Sequence, residues 1–170
     1  ISPADKEWLE KGHTGLQFVN EITGGNIPRE FVPSVQKGFD QAMNNGPLAG
    51  YHVDSMKVRL FDGSYHSVDS DALSFEICAK IGFREAANKA KPVLMEPIMK
   101  VEIHTTEEFT GDIMGDLSQR RGRPQGMDTE AHGTVIHATV PMAEMLNYAP
   151  ALRSMTQGRS SFHMEFSHYE

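Results

Sequence analysis

From Pro97 onward the apolar residues change period in an order that few folds accommodate. Across Pro97–Thr105, Ile98, Lys100 and Glu102 alternate with Met99, Val101 and Ile103, the two-residue period of a strand. Thr105-Thr106-Glu107-Glu108 then has the Thr-x-x-Glu form of a capping box and opens a helix through Ile113, Met114 and Leu117 to Arg120-Arg121-Gly122. Gly111 and Gly115 weaken a helix unless their missing side chains are put to use, so their spacing predicts close packing against a neighbour. Arg123–Met127 and His132–Val140 read as strands. Pro141-Met142-Ala143-Glu144 starts a short helix with proline in its first turn. Ser161–Tyr169 is a last strand, with Phe162, Met164 and Phe166 on one face. This succession of strand, helix, strand, strand, helix, strand is the ferredoxin-like split βαβ order.

Upstream, Leu16–Ile22 is strand-like, and Gly24-Gly25 ends it. Pro28 suits a helix start, and Phe31 or Val32, Val35, Phe39 and Met43 make an apolar stripe that Asn45-Gly46-Pro47 terminates. A half-buried strand covers Met56–Leu60. In the stretch Phe61–Asp71, FDGSYHSVDSD, Asp62-Gly63 is a turn signal, because glycine supplies the positive φ of tight hairpins. Tyr65–Val68 follows as a candidate return strand. Asp69 or Ser70 is placed to cap a helix over Asp71–Lys91, with Leu73, Ile77, Ile81 and Phe83 at helical spacing. Lys91-Pro92 closes it, since the residue before proline leaves the helical region. Residues 15–91 thus read as an α+β domain, and a domain boundary falls near 91/92.

Composition bounds the function. The chain has 170 residues, 39% of them hydrophobic and 23% charged, and no apolar run approaches the ~18 residues of a membrane span. A net charge of −7 opposes indiscriminate polyanion binding, so any nucleic-acid contact must be local. The single cysteine, Cys78, excludes an intrachain disulfide, fits a reducing compartment, and reads as a small buried hydrophobe on its helix. The opening Ile1-Ser2-Pro3 lacks an initiator methionine and a charged-then-apolar leader, which predicts an excised piece of a longer protein.

Several motifs carry a resemblance: GPLAGY (46–51), GSYHSVDS (63–70), KAKPVLMEPIMKVE (89–102), GDIMGDLSQRRG (111–122) and LRSMTQGRSSFHMEF (152–166). Together they resemble the C-terminal half of the elongation factor G family, the translational GTPases that drive tRNA–mRNA translocation. The resemblance implies that residues 1–91 are a domain IV of ribosomal-protein-S5-like α+β fold lacking its N-terminal part, and 92–170 a ferredoxin-like domain V lacking its C-terminal helix. It places the GTP and Mg site in an absent G domain, so no catalytic residue and no cofactor is expected here. In the family, the histidine matched by His66 lies in a loop at the tip of domain IV that enters the decoding region of the small ribosomal subunit. Carried over, Gly63, Ser64, Tyr65, His66 and Ser67 form that RNA-binding loop. The implied partners are the ribosome and tRNA–mRNA, with a monomeric, cytoplasmic protein and no membrane. A ribosomal-protection protein, or a paralogous elongation factor G-like protein, is the alternative. A free-standing RNA-binding protein would need a native start near Ile1.

Two departures from the family pattern bear on structure. Arg123-Pro124 stands where an apolar residue is usual, which questions the pairing of that strand. Asn147 replaces a glycine, and asparagine also tolerates a left-handed conformation at a helix end.

Arg120, Arg121 and Arg123 form the one dense basic cluster. They read either as cations complementing a helix C-terminus or as contacts to large-subunit RNA. Eight histidines invite a metal reading, with His137 and His163 as possible cross-strand neighbours and His132 and His168 near the strand ends. No HExxH motif, cysteine pair or Walker loop supports it, so no metal is expected.

Overall fold

Two separate sheets organise the chain, which a computed structural model describes over all residues, Ile1–Glu170. It divides into two units, Ile1–Leu94 and Met95–Glu170.

In the first unit a two-residue strand, β1 (Ser2–Pro3), and a short helix, α1 (Lys6–Glu10), precede β2 (Leu16–Asn20). A 3-10 turn at Arg29–Phe31 leads into α2 (Val32–Ala42), where Pro33 sits in the first turn and so loses no hydrogen bond. Next come β3 (Met56–Leu60) and α3 (Ala72–Lys89). The sheet order is β1-β3-β2, and β2 runs parallel to β3 with Asn20 opposite Leu60. Met43, Met56, Val58, Phe83 and Ala87 form the core. The helices α2 and α3 approach closely at Gly38, where a Cβ would lie 2.7 Å from that of Ala79 and meet the Glu76 carbonyl.

Of the four apolar residues whose spacing marks α3, only Phe83 lies on the face that the helix buries. Ala79, Phe83 and Ala87 face the core, whereas Leu73, Ile77 and Ile81 are 61%, 46% and 60% exposed. Cys78 is exposed as well, not buried as expected. Two four-residue rows run along this helix, and in the inner one Ala79 lies opposite Gly38, where α2 is too near for a larger side chain. The cap also differs from expectation. Asp71, not Asp69 or Ser70, is the N-cap, and its carboxylate accepts from the Ser74 N–H at 2.7 Å.

The second unit runs β4 (Pro97–Thr105), α4 (Thr110–Gln119), β5 (Arg123–Glu130), β6 (Gly133–Pro141), α5 (Tyr148–Thr156) and β7 (Ser161–Tyr169). Its sheet is antiparallel in the order β5-β6-β4-β7, the ferredoxin-like arrangement. Ile113, Leu117, Tyr148 and Leu152 from the two helices pack on Val101, Ile103, Ile136 and Val140.

Four local expectations are corrected here. Thr105 forms no capping box, because it ends β4 with its hydroxyl accepting from Ser160, and a 3-10 turn at Glu107–Phe109 starts the helical segment instead. A Cβ at Gly111 or Gly115 would meet nothing within 4 Å, so neither glycine marks close packing. β5 does pair, because it is an edge strand and the register shifts between Pro124 and Gly126, a position where proline's missing N–H is tolerated. Asn147 has φ −116° and caps the start of α5, while Gln157 at φ 53° takes the left-handed position at that helix's end. The end of α4 is similar. Arg121 is left-handed at φ 57°, and the Gly122 N–H donates to the Leu117 carbonyl at 2.7 Å in a Schellman arrangement.

Candidate nucleic-acid interface

Because β2 and β3 are parallel and in register, the segments that leave them emerge at the same end of the first unit. After β3 the chain does not turn back. Tyr65–Val68 forms no return strand, and Gly63 does not have the positive φ expected of a hairpin. The glycine is needed for space, since a Cβ there would meet the Ile27 side chain, with Cγ1 at 2.8 Å. Ile27 is buried beneath it.

The loop is held at several points. The Asp62 carboxylate accepts from the Gly63 N–H at 2.8 Å and from the Asn26 amide at 3.0 Å, and these donors hold its pKa below the usual aspartate value. Tyr65 stacks on Phe31 with ring centroids 5.6 Å apart, and Phe31 stacks in turn on Phe75 of α3 at 5.0 Å. The His66 N–H donates to the Ser70 hydroxyl at 2.9 Å, and the Ser70 N–H returns to the His66 carbonyl at 2.9 Å. The imidazole itself is left outward: the side chain is 75% exposed, with only the Asp69 carboxylate 3.6 Å away. Val68 and Phe61 of the same stretch are exposed as well. Of the five loop residues singled out from sequence, His66 is thus the exposed ring and Tyr65 an anchor. Asn26, Ile27 and Phe31, which the sequence did not single out, supply the other half of the anchoring.

In the second unit every arginine of the basic cluster has an acidic partner. Arg120 donates to Asp116 at 2.8 Å and lies over the Tyr148 ring, 5.0 Å from its centroid. Arg121 grips Glu96 through two nitrogens and Glu144 through a third, which lowers the Glu96 pKa and raises its own. Arg123 pairs with Glu170 at 3.0 Å. A phosphate contact by these side chains would require them to exchange carboxylate partners.

His137 and His163 are not neighbours. Both lie opposite Glu102, on either side of β4, and His137 bonds Asp128 at 2.9 Å. His132 lies in the turn between β5 and β6, whereas His168 stands opposite Ile98 near the start of β4. No three His, Cys, Asp or Glu side chains are placed to hold one metal ion. No helix is long and apolar enough to cross a membrane.

An S5-like α+β unit with a pinned, exposed loop, followed by a ferredoxin-like unit, defines the class as a two-module α+β chain. Comparison with known proteins is specific. The family model "Elongation factor G, domain IV" matches residues 4–91, and "Elongation factor G C-terminus" matches residues 93–170. Elongation factor G of Amoebophilus asiaticus (strain 5a2) is 58% identical over 161 residues, covering 95% of this chain and 23% of that protein. Elongation factor G of Aquifex pyrophilus is 54% identical over 156 residues, covering 92% and 22%. A crystal structure of a Thermus thermophilus protein superposes with a TM-score of 0.85 at 41% identity, covering 91% of this chain and 24% of that one. The chain belongs to the elongation factor G family, and it spans less than a quarter of the length of these curated relatives.

Proposed function

We propose that this chain is the ribosome-engaging part of a translation elongation factor that promotes tRNA–mRNA translocation. The Gly63–Ser67 loop enters the decoding region of the small subunit and keeps the displaced tRNA from slipping back. In this reading the parent factor binds and hydrolyses GTP with Mg in its G domain, works in the cytoplasm, and acts as a monomer. The observation that carries the reading is the contrast at residues 65 and 66. The loop backbone and Tyr65 are fixed by packing, while the His66 ring projects into solvent. An imidazole held this way can stack on a base or donate to phosphate and 2′-OH without the broad basic surface that a chain of net charge −7 lacks.

Proximity tests it. In the full-length factor with its other cysteines replaced, His66→Cys carrying a tethered hydroxyl-radical source should cleave small-subunit RNA around the decoding site when the factor is ribosome-bound. Cleavage confined to other regions, or none, would reject the placement.

A further inference from the structure

We propose that Arg29 is a second RNA contact of the same surface as His66, made to phosphate, and that Phe31 fixes it there. The inference rests on the reading above. Arg29 opens the 3-10 turn Arg29–Phe31, two residues before the ring that stacks on Tyr65, the neighbour of His66. Three residues on the other side of it, Asn26 is tied to Asp62. The segment 26–31 is therefore pinned along the 62–65 loop from both ends, with Arg29 between the pins.

Its electrostatic state differs from that of Arg59. Among the cations near this end of the unit, Arg59 is engaged by Glu21 through two hydrogen bonds of 2.9 and 3.0 Å. Arg29 is exposed and has neither a carboxylate partner nor a side-chain hydrogen bond; the adjacent Glu30 does not pair with it. The arginines of the second unit's cluster all spend their guanidinium donors on acidic residues. An unpaired guanidinium on a rigid segment offers its full fork to a phosphate with no internal ion pair to break. Beside the His66 ring, it would supply a permanent positive charge to this surface.

The test uses the full-length factor and measures single-round translocation and ribosome-stimulated GTP hydrolysis for Arg29→Gln, Arg29→Lys and Arg29→Glu, beside His66→Ala, over a series of salt concentrations. Arg29→Gln is expected to slow translocation roughly three- to tenfold at low salt and to flatten its salt dependence. Hydrolysis and melting temperature should not change. Arg29→Lys should fall within about twofold of wild type, and Arg29→Glu should be slower than Arg29→Gln. If His66→Ala slows translocation while Arg29→Gln does not, or if Arg29→Glu is no slower than Arg29→Gln, this inference is overturned and the loop reading stands. A melting temperature lowered by Arg29→Gln would make the residue structural and overturn it too. A silent His66→Ala removes the loop reading, and this inference with it.

Discussion

Gly63 lies directly against Ile27: a single methyl added at residue 63 would collide with the Ile27 side chain, which is itself buried. Two segments 36 residues apart, one after each strand of the parallel pair, are thereby brought to van der Waals distance at the base of the exposed loop. Gly63→Ala should destabilise the chain by about 1–3 kcal/mol, the usual range for an overpacked site. Ile27→Val removes the Cδ1 atom in the way, so the same glycine substitution should be milder in that background. A double-mutant cycle from urea unfolding checks this, and additive effects would mean that the two residues do not interact.

The outer row of α3 should be nearly free of energetic consequence for folding. Leu73→Gln and Ile81→Gln, both at exposed positions, are expected to change stability by about 0.5 kcal/mol or less. Phe83→Ala, in the buried row, should lose about 3–5 kcal/mol. Denaturant midpoints separate the two rows. Comparable losses in both would mean that the outer row is packed.

Tyr148 is fully buried, and its hydroxyl has no hydrogen-bond partner. Burial pushes its pKa up, with Asp116 adding to the rise and Arg120 opposing it. Replacing a buried hydroxyl that bonds to nothing removes a desolvation penalty, so Tyr148→Phe should leave stability unchanged or raise it by up to about 1 kcal/mol. The ring's edge-on packing with Phe162 and the Arg120 guanidinium above it remain. A clear loss on melting would show that the hydroxyl is bonded after all.

The Arg121–Glu96 pair should leave a pH signature. Hydrogen bonds from Arg121 hold the Glu96 pKa below its ordinary value of 4.5. A depressed carboxylate stabilises the fold above the unfolded-state pKa and loses that contribution as pH falls through the folded one. Wild type should therefore melt above Glu96→Gln at pH 7, and the gap should close on acidification below the ordinary glutamate range. A gap that is constant with pH would assign the difference to something other than the charge.

How far these features could be read from residues alone varies with the kind of signal. The ferredoxin-like order was legible because each element shows its own period, from the alternation of Pro97–Thr105 to the Ile113–Leu117 face. The stripe of α2 was legible too, since Val35 and Met43 are both buried. On α3 the spacing of Leu73, Ile77, Ile81 and Phe83 marked the helix but not its buried face: Phe83 is buried and the other three are exposed, while the inner side carries Ala79 where Gly38 comes close. The Asp62-Gly63 pair suggested a hairpin because a sequence does not distinguish a glycine needed for φ from one needed for space. His66 stood out through its motif, but Asn26, Ile27 and Phe31 carry no motif of their own. Only the parallel register of β2 and β3 brings them to the loop. The density of arginines at 120–123 was plain, and their carboxylate partners, as distant in sequence as Glu96 and Glu170, were not.

The central claim is that His66 acts on RNA and not on the fold. The measurement that tests it most directly compares wild type with His66→Ala in the full-length factor, reading translocation and ribosome-stimulated GTP hydrolysis on the same preparation. The account predicts slowed translocation with hydrolysis unchanged. Unaltered translocation would contradict it and leave His66 as an exposed loop residue without a part in the reaction.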